Sequence, residues 1–166
     1  TAQGLCDYLK SAFSKIPIKV VIAYDCRNNS KSLAVKVAEI FSANNVKVFI
    51  FSDLRTTPEL SFAVKYLEAH CGIVLTASHN PPEYNGYKVY WKDGGQIVPP
   101  QDNEIIEQIN NTRFSDIKFN AKKELIEWID QELDQAFFDK SVQLVSLNRM
   151  DVKILKLYLP LYMAHP

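Results

Sequence analysis

The sequence predicts an α/β domain, a three-layer α/β/α arrangement around a mixed four-stranded sheet with three parallel strands and an antiparallel edge strand. Three observations predict it. Short, almost continuous apolar runs alternate with stretches whose apolar residues recur at helical spacing. The runs lack polar alternation, as expected of strands covered on both faces. An Asn-Gly pair, Asn85-Gly86, then stands directly before an aromatic and β-branched run, which marks a reversal onto the sheet edge.

Each element follows in order. Leu5, Leu9, Ala12, Phe13 and Ile16 mark a first helix from Thr1, ended by Pro17. Lys19 to Tyr24 is the first strand. Asp25 to Ser30 is a polar loop, with Ser30 as the expected N-cap of a helix carrying Leu33, Val37, Ile40 and Phe41. Asn44-Asn45 closes that helix, and Val46 to Phe51 is the second strand. After the loop Ser52 to Pro58, Leu60, Ala63, Val64 and Leu67 mark a helix expected to stop near Gly72. Ile73 to Leu75 is the third strand. Tyr87 to Trp91 returns as the edge strand and ends at Asp93-Gly94-Gly95. Ile105, Ile106 and Ile109 mark a further helix; Leu125, Ile126, Ile129 and Leu133 mark another, whose Trp128 and Phe137 need cover. Right-handed crossovers fix most of the topology. The expected division is a first domain over 1–119, then a linker helix and the stub of a second domain over 120–166. The start at Thr1, already inside a helix, points to a piece of a longer protein.

Composition narrows the function classes. Hydrophobic residues make up 47% and charged residues 23% of 166, a globular balance. Lys+Arg and Asp+Glu are 19 each, so no net charge marks a nucleic-acid or anionic-membrane partner. No apolar run approaches the ~18 residues of a membrane helix. Cys6, Cys26 and Cys71 are an odd count without C-x-x-C spacing, which fits reduced thiols in a cytoplasmic enzyme.

In an open parallel sheet, ligands bind beyond the carboxyl ends of the strands. Thr76 to Asn80, Asp25 to Arg27 and Thr56 to Pro58 all fall there. Ser78 and Asn80 also suit plain turn positions, Arg27 an ion pair with Asp25, and Lys88 a solvated edge strand. A hydrolase reading would make Ser78 the nucleophile and His79 its base. Neighbours on extended backbone point to opposite sides, and no G-x-S-x-G elbow is present, which speaks against it. A phosphoserine suits Ser78 better. It brings about −1.5 to −2 charges and needs cationic neighbours, of which Lys88 is one.

Thr76-Ala77-Ser78-His79-Asn80-Pro81-Pro82, followed by Tyr84-Asn85-Gly86-Tyr87-Lys88, resembles the phosphoserine loop of the α-D-phosphohexomutases, the phosphoglucomutase/phosphomannomutase family. The likeness extends to Ala23 to Ser30, Thr57 to Phe62 and Asp93 to Ile97, and covers about residues 1–110, the family's first domain. Its wording is closest to the phosphoglucomutase/phosphopentomutase-like branch. The resemblance implies that Ser78 carries the phosphoryl group between sugar 1-phosphate and 6-phosphate (or pentose 1- and 5-phosphate) through a sugar bisphosphate intermediate. It implies His79 and Lys88 as catalytic groups, Asn80 and Arg27 as substrate or phosphate ligands, and Mg²⁺ held through the Ser78 phosphate with its other ligands outside this chain. The family's D-G-D-x-D-R metal loop, its sugar- and phosphate-binding loops and the Gly- and Arg-containing segment before the first helix are not in this sequence, and "YLPLYMAHP" near the end departs from the family. The chain alone is therefore expected to be inactive, its further domains lying elsewhere in the polypeptide. The alternative is a non-catalytic phosphosugar-binding module or degenerate paralogue.

Overall fold

A computed structural model describes residues 1–14 and 16–144 of the chain. The end of the expected second-domain stub, residues 145–166, lies outside the described residues. Two compact units divide the chain, Thr1–Gln131 and Glu132–Pro166.

The first unit runs α1 (Ala2–Ala12), β1 (Lys19–Tyr24), α2 (Ser30–Ala43), β2 (Lys47–Phe51), α3 (Thr57–Tyr66), β3 (Cys71–Leu75), β4 (Tyr87–Trp91), α4 (Gln101–Asn111) and β5 (Ile126–Ile129). The sheet order is β4-β3-β1-β2-β5. β1 is parallel to β2 and β3, β2 is parallel to β5, and β4 is antiparallel to β3. The mixed α/β/α architecture stands as the sequence predicted, with five strands in place of four.

Strand alternation sorts the core. Val20, Ile22, Tyr24, Ile73 and Leu75 pack with Leu5 and Leu9 of α1, Phe41 of α2 and Ile105 of α4 in one buried cluster. Gly72 faces the other layer, where an added Cβ would meet Val64 Cγ2 of α3 at 2.5 Å. Each fully buried Leu, Ile or Phe here contributes about 1.5–3 kcal/mol. Gly72 is thus a packing glycine inside β3. The helix ahead of it ends earlier, at Tyr66, where Glu68 turns the chain with φ of 52°.

The fifth strand corrects the expected helix over Leu125 to Leu133. Lys123–Leu125 is a single 3-10 turn, Ile126–Ile129 is β5, and α5 spans Gln131–Leu144. Ile126 and Ile129 stand three apart and mimic helical spacing, but they pair with Val48 and Phe51 of β2. The ion pair between Lys47 and Glu127, at 2.6 Å, ties the same two strands. The compact unit consequently runs to Gln131, past the boundary expected at 119. In the second unit α5 carries Gln135, whose Nε2 donates to Asp139 Oδ1 at 2.8 Å.

Ser30 does not cap α2. Asn29, with φ of 62°, takes the N-cap position, and the Ser30 hydroxyl turns inward to donate to the Leu75 carbonyl at 2.9 Å. That bond and Asp25 N–H to Leu75 O, at 3.2 Å, tie the start of α2 to the end of β3. They bring the β1–α2 and β3–β4 loops together.

Candidate active-site loop

The β3–β4 connection, residues 76–86, leaves the carboxyl end of β3 beside the end of β1. Its base is closed by Thr76 N–H donating to Gly86 O at 3.1 Å. Above that, Ser78 N–H donates to Thr76 Oγ1 at 3.1 Å and Asn80 N–H to Ala77 O at 3.1 Å. Ser78 itself is left-handed, with φ of 58°. That conformation is uncommon for a residue with a Cβ and must be held by its surroundings.

The left-handed residue changes the relation between the two polar side chains. Ser78 Oγ lies 3.0 Å from His79 Nδ1, within hydrogen-bond reach, and both residues are exposed. The extended-backbone objection to a Ser-His pair therefore fails, because the backbone at Ser78 is not extended. Among the described residues no carboxylate hydrogen-bonds His79 to orient it, so the pair is a dyad without a third member. The reversal expected at Asn85-Gly86 also falls elsewhere. Among the described residues, positive φ occurs at Ser78 and not at 85 or 86. Gly86 is required for close approach instead, since a Cβ there would sit 2.4 Å from the Thr76 carbonyl oxygen.

Arg27 fills the underside of the loop. Its Nε donates to Asp25 Oδ2 at 3.0 Å, and its Nη1 to the carbonyls of Asn80, Pro81 and Tyr84 at 2.7, 2.8 and 3.3 Å. Its Nη2 donates to Ser78 O. Of the two readings of Arg27 made from the sequence, the ion pair with Asp25 is present, while the rest of the fork is spent on backbone carbonyls and not turned out as a phosphate ligand. Sequence reasoning missed two asparagines that complete the joint. Asn28 N–H donates to Pro82 O at 3.1 Å, and Asn85 Nδ2 donates to Asn28 O at 2.7 Å. Both lie in stretches that carry the family resemblance, but no sequence signal showed that they meet each other.

Asn80 is exposed, and its side chain makes no hydrogen bond to the described residues. Lys88 pairs with Val74 in the ladder and makes no ion pair among the described residues. Cross-strand partners share a face, so Lys88 leaves the sheet on the α3 side, opposite Tyr87. The Thr56 to Pro58 loop is committed to structure. Thr56 and Glu59 form a capping box on α3, and the buried Arg55 beside it pairs with Asp130 at 3.0 Å. Cys26 is exposed between Asp25 and Arg27, whereas Cys6 and Cys71 are buried. Burial pushes the Cys6 thiol up to about 12 and the Cys71 thiol higher still, which keeps both protonated.

A cleft of about 320 Å³ lies elsewhere, lined by Leu33, Val37, Leu75, Asn85 and Tyr87 among others, and by none of Ser78, His79, Asn80 or Lys88. Asn85 Oδ1 and the Tyr87 hydroxyl, which border it, are buried and have no hydrogen-bond partner among the described residues, and burial raises the Tyr87 phenol. The described residues do not themselves compose a Mg²⁺ site. They hold no cluster of three or more His, Cys, Asp or Glu side chains placed to share an ion, and Asp25 is committed to Arg27.

A family model for phosphoglucomutase/phosphomannomutase, alpha/beta/alpha domain I, matches residues 1–116. The chain belongs to this family. A phosphoglucomutase of Staphylococcus haemolyticus is 38% identical over 142 residues, which are 85% of this chain and 26% of that protein. A human phosphopentomutase is 41% identical over 116 residues, 66% of this chain and 19% of that protein. A crystal structure of a putative phosphomannomutase from Thermus thermophilus superposes with a TM-score of 0.66 at 28% identity, covering 84% of this chain and 30% of that one. The chain thus spans about a quarter of the length of such relatives.

Proposed function

We propose that the polypeptide containing this chain is a sugar-phosphate mutase and that this domain carries its transferable phosphoryl group on Ser78. The observation that carries the proposal is the placement of Ser78 Oγ. It is exposed beyond the carboxyl end of β3, on a loop clamped from below, and 3.0 Å from His79 Nδ1.

Phosphoryl transfer asks mainly for positioning and charge stabilisation. In the forward half-reaction a sugar hydroxyl oxygen attacks the phosphorus of phosphoserine, the P–Oγ bond breaks, and a sugar bisphosphate forms. Net, one proton moves from the sugar hydroxyl to Ser78 Oγ. His79 is placed to give Oγ that proton and to take it back when the bisphosphate rephosphorylates the serine. Asn80, with a free amide at the loop tip, and Lys88, with an uncommitted ammonium, are the groups offered to the phosphate oxygens. Any Mg²⁺ ligated by the Ser78 phosphate draws its carboxylates from outside the described residues.

The substrate class is a hexose or pentose phosphate, with a sugar bisphosphate as intermediate. Similar identity to a phosphoglucomutase and a phosphopentomutase supports the class and does not favour one sugar. No helix among the described residues is long and apolar enough to cross a membrane. The free cysteines support a cytoplasmic setting. The test is phosphopeptide mass spectrometry after incubating the full-length polypeptide with glucose 1,6-bisphosphate. Phosphate on Ser78 is the expected result; phosphate found only on other residues overturns the carrier role.

A further inference from the structure

We propose that Arg27 is a positioning residue, whose guanidinium holds the Ser78 carbonyl so that Ser78 stays left-handed with its hydroxyl on His79. The reaction it would serve rests on the reading of Ser78 as phosphoryl carrier, but the positioning itself does not.

Three observations converge on this role. The first is commitment. The Arg27 side chain is 7% exposed and donates to Asp25 and to the carbonyls of residues 78, 80, 81 and 84. An arginine so enclosed offers little to a substrate phosphate. The second is strain. A serine has no intrinsic preference for φ of 58°, and turning the Ser78 carbonyl toward Arg27 opposes relaxation of the backbone to an ordinary conformation. The third is orientation of the fork. Asp25 Oδ2 accepts from Nε at 3.0 Å while its Oδ1 accepts the Arg27 backbone N–H at 3.1 Å, so both ends of the side chain are fixed before it reaches the loop. Lysine has three donors on one atom and cannot span carbonyls from four residues, so the Arg-to-Lys change is not conservative here.

The chain of action is then Asp25 to Arg27 to the Ser78 carbonyl to the Ser78–His79 pair. In the catalytic reading, a misplacement of the reacting oxygen by about 1 Å costs on the order of 10²-fold in rate.

Long-range imidazole nitrogen spectra of the full chain test the positioning. In the native background, Ser78→Ala should shift the His79 Nδ1 resonance. In Arg27→Lys and Arg27→Gln backgrounds the same substitution should leave it unmoved, while amide exchange in β1 and β3 stays protected. A Ser78-dependent shift that persists without Arg27 overturns the proposal. Should Arg27→Lys fail to fold, Asp25→Asn supplies the second variant: a weakened shift supports the proposal and an unchanged one refutes it. In the full-length polypeptide, Arg27→Lys should lower kcat on the order of 10²-fold with KM within about twofold, and methylguanidinium should restore part of the rate to Arg27→Gly. A rise in KM with kcat intact would make Arg27 a substrate ligand instead. If the spectra depend on Arg27 but Ser78 never takes phosphate, the mutase reading fails and the positioning role stands.

Discussion

Gly86 approaches the Thr76 carbonyl so closely that a Cβ on Gly86 would lie 2.4 Å from that oxygen. The contact is backbone on backbone, and the same two residues share the bond from Thr76 N–H to Gly86 O at 3.1 Å. Neither side can move without opening the base of the loop. Gly86→Ala should therefore cost about 1–3 kcal/mol, the range for forcing extra volume into a packed position. Urea unfolding of the two proteins measures it. An unchanged midpoint would mean that the loop base gives way easily, and Ser78 would then lack the rigid support proposed for it.

The three central strands were legible because a strand covered on both faces must be apolar throughout, and Val20 to Tyr24, Val48 to Phe51 and Ile73 to Leu75 are. β5 was not legible. Four residues hold too few repeats to separate a period of two from a period of 3.6, and Ile126 with Ile129 satisfies the helical template. At the site, the motif pointed to Ser78 and His79, but their mutual geometry stayed hidden. Asn-Gly advertises positive φ, whereas a serine held left-handed by an arginine from another loop carries no local signal. The misplaced turn and the mistaken objection to the Ser-His pair share that cause.

Lys88 is half-buried on the edge strand, and its ammonium makes no ion pair among the described residues. If it stabilises charge on the transferring phosphoryl group, Lys88→Ala in the full-length polypeptide should lower kcat on the order of 10²-fold, with a much smaller change in KM. Steady-state kinetics with a sugar phosphate distinguish the cases. Turnover within a few-fold of the parent would leave Lys88 as an ordinary edge-strand lysine.

Asn44, fully buried at the end of α2, is the hub of a polar network beneath α1. Its Nδ2 donates to Gln3 Oε1 at 2.8 Å and to Ile40 O at 2.9 Å, and its Oδ1 accepts from Gln3 Nε2 at 3.2 Å and Lys10 Nζ at 3.0 Å. Asn44→Ala strips partners from the buried Gln3 without adding any. The expected loss is about 1–3 kcal/mol, the cost of leaving buried polar groups unsatisfied. Gln3→Ala should cost less when made on top of it than alone, and a double-mutant cycle reads that coupling. Strict additivity would show that the two amides do not act as one network.

His70 sits just before β3, where its Nδ1 accepts the Lys19 N–H at 3.1 Å and its ring meets Phe13 edge-on at a centroid distance of 4.6 Å. Burial, the largest cause, holds its pKa below the ordinary 6.5; the Lys19 backbone opposes this in part, and the nearby ammonium groups of Lys19 and Lys92 add to it. The sign follows from proton counting. Between the lowered folded value and 6.5, the unfolded chain binds more protons at this site than the folded one, so stability rises with pH across that window. The contribution is complete above 6.5 and is lost as pH falls through the folded value, where a proton on Nδ1 also breaks the bond from Lys19. A His70→Gln variant keeps an acceptor in place but does not titrate. Urea unfolding of both proteins from about pH 7.5 down to about pH 5 should therefore show the parent losing stability on acidification faster than the variant, with the gap opening below pH 6.5. Parallel pH profiles for the two proteins would show that His70 titrates alike in the folded and unfolded chains, and the burial argument would fall.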